Sequence, residues 1–356
     1  MAAINPATVT KRSLVGIIAN PASGKDIRRL VAHGSTFDNN EKINIVRRVL
    51  LGLDAAGVSE VAYLPDTYGI VERAVATAAP RLSITPLSMP VLGHASDSTE
   101  AAQRLRDLGA AAIITLGGDG TNRVVAKGSG DVPLLPLSTG TNNVFPRMVE
   151  GTLAGLAAGL VATDIARNTP GLPRVIRRAP RLEVRIDGSA VDSALIDVVS
   201  SSQSWIGARA LWEPSHLREI VLSRICASVI GIASLGGALF PRACTSCSGA
   251  WIAVGEPATS PSTVTIPIAP GLLRAVPIAR AELLDHGATV TLRGGPCTLA
   301  FDGEREIEIQ NPSAQISVRL DPHGPRVIDV DAALAAGAAV GAFVSARDHQ
   351  TNQVGA

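Results

Sequence analysis

Apolar and polar positions follow one pattern in the first half of the chain and another in the second. In the first half, continuous apolar runs typical of buried strands alternate with segments whose apolar residues recur at helical spacing. In residues 41–56, for example, Ile43, Val46, Leu50 and Leu53 share one helix face. The pattern predicts strands at 13–19, 58–64, 82–92, 110–116 and 133–137, with helices at 41–56, 68–79, 97–109 and 123–127. This alternation predicts a parallel, doubly wound α/β sheet.

The pattern changes after a stretch rich in proline and arginine at 168–181. Short β-prone runs separated by Gly, Pro and Asp follow, at 181–186, 194–199, 250–254, 264–268, 288–292, 297–301, 307–309 and 316–320. Such runs are typical of an antiparallel sheet. We therefore predict an α/β domain over 1–165, a mainly antiparallel β domain over 166–328, and a C-terminal helix within 329–356 that packs back on the body.

The composition narrows the classes of function. The 356 residues are 46% hydrophobic, 18% charged and only 3% aromatic, and the net charge is +1. This is a globular composition, without the charge that favours nucleic acid or an acidic membrane. Four cysteines make no disulfide framework, and the CxxC spacing of Cys244 and Cys247 has no second pair to complete a zinc site.

The most membrane-like stretch, residues 225–240, is shorter than the ~20 residues that a spanning helix needs. It also contains two serines and three glycines. We expect a buried helix or hairpin of the second domain there. Residues 1–11 lack the apolar region of a signal peptide. A cytoplasmic protein without a membrane or nucleic-acid partner is therefore predicted.

The candidate chemistry centres on the sequence Leu-Gly-Gly-Asp-Gly-Thr-Asn at 116–122, between a predicted strand and a predicted helix. Glycines allow another molecule to approach the backbone, and amides at a helix start suit phosphate oxygens. Asp119 places a carboxylate in this turn, where it would hold a cation or accept a hydroxyl proton. The pattern favours phosphoryl transfer. The alternative is a tight turn in which Asp119 is merely the helix N-cap.

Two further strand ends carry similar residues. The first predicted strand ends at Asn20-Pro-Ala-Ser-Gly-Lys25, with Ser23, Gly24 and Lys25 as candidate phosphate ligands, and another strand ends at residues 138–143, Ser-Thr-Gly-Thr-Asn-Asn. Ligands of open parallel sheets bind at the carboxyl ends of the strands. We therefore expect the three turns to converge on one crevice.

These motifs, with the Asp-Gly-Glu at 302–304, resemble those of the NAD kinase and diacylglycerol kinase-like superfamily. Gly-Thr-Asn-Asn-Val-Phe-Pro at 140–146 is similar to one branch, the ATP-NAD kinase-like proteins called acetoin catabolism protein X. The resemblance implies a two-domain fold, ATP and Mg²⁺ or another divalent cation as cofactors, and a catalytic or metal-binding role for Asp119. It assigns nucleotide or phosphate binding to Asn20, Ser23, Gly24, Lys25, Gly117, Gly118, Gly120, Thr121, Asn122, Thr139, Gly140, Thr141, Asn142 and Asn143. It places Asp197, Asp302, Gly303 and Glu304 on the second-domain side of the cleft.

The sequence departs from the superfamily where NAD kinases use an Asn-Glu pair to recognise the dinucleotide. Ile196 and Asp197 stand at that place, and isoleucine cannot supply the amide. The leading hypothesis is an ATP-dependent kinase acting on NAD(H) between the two domains. The alternatives are a nucleotide-binding accessory or sensor without kinase activity, and a lipid or other alcohol kinase. The resemblance also allows a homo-oligomer.

Overall fold

The computed structural model describes residues 13–24, 38–78, 80–166, 171–203, 205–206, 213–243 and 248–344. Its first half is built on five parallel strands: β1 (Leu14–Ala19), β2 (Glu60–Tyr63), β3 (Ser83–Pro86), β4 (Ala112–Gly117) and β5 (Leu134–Ser138). They lie in the order β3-β2-β1-β4-β5. The order reverses direction between β1 and β4, which is the point where open α/β sheets bind ligands.

Five helices cover the two faces of this sheet. They are α1 (Asn39–Ala55), α2 (Ile70–Ala78), α3 (Ala95–Asp107), α4 (Asp119–Ser129) and α5 (Gly151–Ala162). One apolar core joins α1, α2 and α5 to the sheet through residues such as Leu50 and Ala154. A second core, which includes Leu105 and Val125, joins α3 and α4 to the opposite face. The predicted doubly wound α/β fold is confirmed.

The second half consists mainly of antiparallel strands. After β6 (Ile176–Arg178), these are β7 (Arg181–Ile186), β8 (Ser189–Ala194), β9 (Asp197–Ser201), β10 (Leu217–Leu222), β11 (Gly249–Val254), β12 (Ser262–Ala269), β13 (Leu272–Leu284), β14 (Thr289–Leu292), β15 (Cys297–Phe301), β16 (Glu304–Ile309) and β17 (Ile316–Asp321). One sheet has the order β12-β13-β11-β10-β9-β15-β16 and the other β14-β17-β7-β8. The predicted antiparallel domain is confirmed.

The chain returns to the first sheet after the second domain. Strand β18 (Arg326–Ile328) pairs in parallel with β5, through Val327 opposite Leu134, and antiparallel with β6. The first sheet therefore has seven strands, in the order β3-β2-β1-β4-β5-β18-β6. The predicted division at 166 and 328 assigns β6 and β18 to the β-rich domain, whereas the structure pairs both with the first sheet.

The last helix, α7 (Val330–Ala339), packs on the first domain. Ala333 and Ala336 belong to the same apolar core as Ala154 of α5. The C-terminal helix predicted within 329–356 ends at Ala339, and residues 345–356 lie outside the described part of the chain.

The structure corrects one prediction about a helix start and refines the prediction for residues 225–240. Helix α3 does not begin at Asp97 as predicted. Asp97 is the third residue of the capping box, and its carboxylate accepts the amides of Leu92, Gly93 and His94. The stretch 225–240 contains a short helix, α6 (Ser234–Leu239). Across the described ranges, no helix has the length and apolar character to cross a membrane. Cys244 and Cys247 fall outside those ranges.

Candidate functional site

The turns that follow β1, β4 and β5 meet at one edge of the first sheet. The Asn20 amide N donates to the Leu116 carbonyl at 3.0 Å, and Asn20 Nδ2 donates to Thr121 Oγ1 at 2.9 Å. Thr139 Oγ1 donates to Ser23 Oγ at 2.9 Å. Side chains of the first turn are thus hydrogen bonded to both of the others. The predicted convergence of the three strand ends is confirmed.

A cleft of about 610 Å³ lies between these turns and the second domain. Most of the predicted site residues line it: Asn20, Ser23, Gly24, Gly118, Asp119, Gly120, Thr121, Asn142 and Asn143 from the first domain, and Asp197, Asp302, Gly303 and Glu304 from the second. Five predicted residues do not, namely Gly117, Asn122, Thr139, Gly140 and Thr141. Lys25 lies outside the described residues.

Residues behind the cleft wall hold the turns in place. The buried Asn122 accepts a hydrogen bond from Thr115 Oγ1 at 2.6 Å and donates to the Gly118 carbonyl at 2.9 Å. Its side chain therefore secures the junction of β4 and α4. Gly117 is fixed by packing, because a Cβ there would lie 2.5 Å from the Cβ of Thr121.

Asp119 is the first residue of α4 and connects that helix to the loop after β5. Its carboxylate accepts the Val144 amide at 3.0 Å from each oxygen and the Phe145 amide at 2.7 Å. The alternative that Asp119 is the helix N-cap is wrong, because Gly118 occupies that position. Phe145 in turn packs into the core of the second domain. The carboxylate therefore fixes the loop by which the two domains contact each other.

The Asp-Gly-Glu motif forms the hairpin turn between β15 and β16, as expected where Asp-Gly separates two β-prone runs. Asp302 and Gly303 have φ values of 51° and 81°, the left-handed conformations typical of a two-residue hairpin. The Asp302 side chain is fully buried and accepts the amides of Leu195 at 3.0 Å and Ile196 at 2.7 Å. Asp197 Oδ1 accepts the Gly303 amide at 3.2 Å. The hairpin is therefore held firmly against β9.

Carboxylates from both domains come close together at the cleft. Burial, together with the negative charges of Asp197 and Asp119, raises the pKa of Asp302 to about 8, against the opposing effect of Arg123. Asp302 is therefore mostly protonated at neutral pH. Burial lowers the pKa of Arg224 below its usual range, although Asp119 and Asp302 oppose this effect.

Arg123 is a site residue that the sequence analysis missed. It lies on α4 one turn after Asp119 and is only 4% exposed. Its guanidinium binds Asp192 of β8 at 2.8 Å, Glu306 of β16, and Asp302 at 3.8 Å. Burial alone would lower the pKa of Arg123, but the carboxylates raise it above its ordinary value. In the sequence, the only indication that Arg123 belongs to the site was its position one helical turn after the Gly-Gly-Asp-Gly motif.

The second-domain wall of the cleft also has an apolar part. Ile196, Ile230, Ile232 and Ile268 line it. Ile196 stands where NAD kinases are expected to supply an asparagine. Ile230 and Ile232 belong to the membrane-like stretch at 225–240. The second-domain wall of the cleft is thus partly apolar and partly acidic.

Comparison with known proteins identifies the family. Residues 15–165 match the family model for the ATP-NAD kinase N-terminal domain. Residues 180–323 match the model for the acetoin catabolism protein X C-terminal domain. A protein of Cupriavidus necator named acetoin catabolism protein X is 39% identical over 332 residues, which cover 90% of this chain and 91% of that protein. The chain belongs to the acetoin catabolism protein X family. The resemblance predicted from the motifs is therefore confirmed, together with the two-domain NAD kinase-like fold.

Members of NAD kinase-like families generally use ATP and a divalent cation. Within the described part of this chain, no group of three or more His, Cys, Asp or Glu side chains could hold a metal ion. Mg²⁺ is commonly bound by one or two carboxylates together with substrate phosphates. Asp119 and Glu304 are carboxylates that line the cleft. The site therefore fits an ion that enters as the nucleotide complex.

Proposed function

We propose that this protein is an ATP-dependent kinase that phosphorylates a hydroxyl group of a small molecule in the cleft, with NAD(H) as the leading acceptor. One observation carries the proposal: three strand-end turns meet on one side of the cleft, and the Asp302–Glu304 hairpin faces them from the other. Membership of a family whose N-terminal half matches the ATP-NAD kinase model supports a phosphoryl donor at these turns.

In this proposal the first domain binds the phosphates. Backbone amides at the start of α4 and the hydroxyl of Thr121 contact phosphate oxygens, because a helix N-terminus favours anions. Mg²⁺ bound with the nucleotide reduces charge repulsion during transfer. The acceptor oxygen forms a bond to the γ-phosphorus while the bond to ADP breaks. Asp119 accepts the proton of the acceptor hydroxyl or positions that hydroxyl.

The direct test is to incubate purified protein with ATP, Mg²⁺ and either NAD or NADH and to measure NADP or NADPH. Product that accumulates in proportion to enzyme, and is absent without ATP, is the expected result. Mn²⁺ and other phosphoryl donors such as GTP and polyphosphate extend the search. A complete absence of product under all these conditions would remove the NAD(H) assignment.

A second candidate is a nucleotide-binding accessory or sensor that transfers no phosphoryl group. It is supported by the hydrogen bonds of Asp119 to the amides of Val144 and Phe145, which give this carboxylate a structural role. Calorimetry distinguishes the two candidates. Nucleotide binding that is unchanged in Asp119→Asn, without turnover on any acceptor, would favour the accessory.

Because isoleucines line part of the cleft, apolar alcohols should also be tested as acceptors. Ile230 and Ile232 would contact an alkyl portion of the acceptor, as a lipid or other alcohol kinase requires. A panel of diacylglycerol, short-chain diols and NAD(H), each assayed for ATP-dependent phosphorylation, ranks the acceptor classes. Failure of every acyl-chain ligand to bind would count against a lipid.

A further inference from the structure

Lys42 is a fully buried lysine beneath the turn that follows β1. It lies near the start of α1, and its side chain is 0% exposed. Its Nζ donates to the backbone carbonyls of Asn20 at 3.0 Å, Pro21 at 3.1 Å and Ser23 at 2.6 Å. Asn39 Oδ1 lies 3.1 Å from the same nitrogen, so four oxygens share its three protons. Lysine is almost never fully buried in proteins unless its charge is paired or hydrogen bonded, so this arrangement needs a reason.

We infer that Lys42 is a positioning residue for phosphate binding, whose ammonium group orients the backbone of residues 20–24 toward a bound nucleotide. The inference rests on the proposed function, because it assumes that the turn contacts phosphate. Lys42 is not among the residues that line the cleft, whereas Asn20, Ser23 and Gly24 are. The lysine therefore acts through the turn and not by touching the ligand.

The direction of the carbonyl groups explains how this works. A carbonyl oxygen carries partial negative charge and repels a phosphate, whereas an amide attracts it. The carbonyls of Asn20, Pro21 and Ser23 all point at the ammonium of Lys42. Because Lys42 does not line the cleft, these three oxygens are held toward a side chain behind the cleft wall. Hydrogen bonds from a charged donor are stronger than neutral ones, so they can hold three carbonyls in one orientation.

The turn at residues 20–24 is hydrogen bonded to the turns that follow β4 and β5. Asn20 bonds to Thr121 of α4, and Ser23 accepts from Thr139 after β5. A displacement of residues 20–24 would therefore reach all three parts of the proposed phosphate site. It would leave the second-domain wall in place, because Ile196 and Ile230 belong to separate strands and loops.

The experiment measures binding of ATP and of adenosine to Lys42→Ala by calorimetry. We expect ATP to bind about tenfold more weakly, because the turn loses the cation that orients its carbonyls. Adenosine, which has no phosphate, should bind as it does to the wild type. Arg47→Ala is the matched control, since Arg47 lies on the same helix and its guanidinium bonds to Thr77 and Asn44. This control should bind ATP normally.

Chemical rescue separates a positioning role from general support of the fold. Propylammonium has the three carbons and the charged nitrogen that Lys42→Ala lacks, so it should restore ATP affinity. Propan-1-ol has the same size without the charge and should not. If Lys42→Ala does not fold, Lys42→Met and Lys42→Arg replace it. Lys42→Arg keeps the charge and the donors, and it should bind ATP more tightly than Lys42→Met.

Each outcome decides between distinct conclusions. A wild type that binds no nucleotide overturns the proposed function and the inference together. A wild type that binds ATP while Lys42→Ala binds it equally well overturns the inference alone. Equal losses of ATP and adenosine affinity, without rescue by propylammonium, also overturn it, because they indicate general damage to the fold.

Discussion

Arg123 and Asp302 come from different domains, and 3.8 Å separates the arginine Nε from the aspartate Oδ2. The same guanidinium binds Asp192 and Glu306, so one arginine joins α4 to three carboxyl groups of the second domain. The helix that begins at Asp119 is therefore fixed to the opposite wall of the cleft. This side chain, together with Asp119 and Lys127, holds the two walls in their relative position.

We expect Arg123→Met to lower the free energy of unfolding by about 3–5 kcal/mol, because it removes the buried cation that Asp192, Asp302 and Glu306 share. Lys127→Met is the control. Lys127 also binds Asp192, at 2.6 Å, but its side chain is 37% exposed, so its loss should cost no more than about 1 kcal/mol. Urea unfolding of both variants measures the difference. Equal effects would show that burial of the Arg123 cluster is unimportant for stability.

Asp119→Asn should lower the turnover rate about a hundredfold or more, the usual effect of losing a general base. The asparagine oxygen can still accept the amides of Val144 and Phe145, so the fold and ATP binding should persist. Steady-state kinetics, calorimetry and circular dichroism together check this. Unchanged turnover with an intact fold would end the catalytic assignment.

Glu304→Gln should act differently, because Glu304 stands on the hairpin that borders the proposed nucleotide site. We expect weaker nucleotide binding by about three- to tenfold, as for one lost polar interaction, with a much smaller change in turnover than in Asp119→Asn. Kinetics at saturating and at low ATP separate the two effects. If Glu304→Gln lowered the turnover rate more than Asp119→Asn does, the catalytic role would belong to Glu304.

The raised pKa of Asp302, about 8, predicts a pH-dependent stability. Below pH ~4 the carboxyl is protonated in both the folded and the unfolded state. Between ~4 and 8 the folded protein keeps the proton while the unfolded chain loses it, so stability from this group falls as pH rises. The slope is at most about 1.4 kcal/mol per pH unit for one proton. Asp302→Asn should remove this component in urea unfolding between pH 5 and 8, and an identical slope would contradict the assignment.

Two glycines of the Gly-Gly-Asp-Gly motif should respond to alanine in opposite ways. In Gly117→Ala the new methyl would lie 2.5 Å from the Cβ of Thr121, which should cost about 1–3 kcal/mol of stability. In Gly120→Ala it would meet nothing within 4 Å, and the helix should gain up to about 1 kcal/mol.

Gly120 lines the cleft, however, so its methyl group would stand where we propose that phosphate approaches. Gly120→Ala should therefore weaken ATP binding by about tenfold, equivalent to about 1.4 kcal/mol. Thermal unfolding and calorimetry on both variants provide the test. Normal ATP binding by a stable Gly120→Ala protein would place the phosphates elsewhere.

The sequence was sufficient to predict the convergence of the three turns, because adjacent parallel strands end at the same edge of a sheet. It was also sufficient for the hairpin at Asp302 and Gly303, since Asp-Gly is favoured in two-residue turns. It did not predict that Asp302 is buried, because a hairpin turn is usually solvated. The burial arises from the amides of Leu195 and Ile196, which are distant in the sequence.

Long-range partners explain the other differences. Arg123 pairs with residues 69 and 183 positions away, and such pairs leave no periodic pattern in the chain. Strands β6 and β18 are three residues each, too short for an apolar run to identify them. Lys42 looked like an ordinary polar residue near a helix start. Its burial depends on the turn at 20–23, which comes from another part of the first domain.

The place of β18 in the first sheet has a consequence for synthesis of the protein. Domains generally fold as units, the N-terminal one first, as the chain leaves the ribosome. Here the strand beside β5 is supplied by residues 326–328, after the whole second domain has been made. Arg147 pairs with the end of β5 near Leu137, but the part of the edge at Leu134 lacks its partner strand until then. An unpaired strand edge is open to pairing with other polypeptides. The first domain can be completed only after the second domain has been synthesised, when both walls of the cleft already exist.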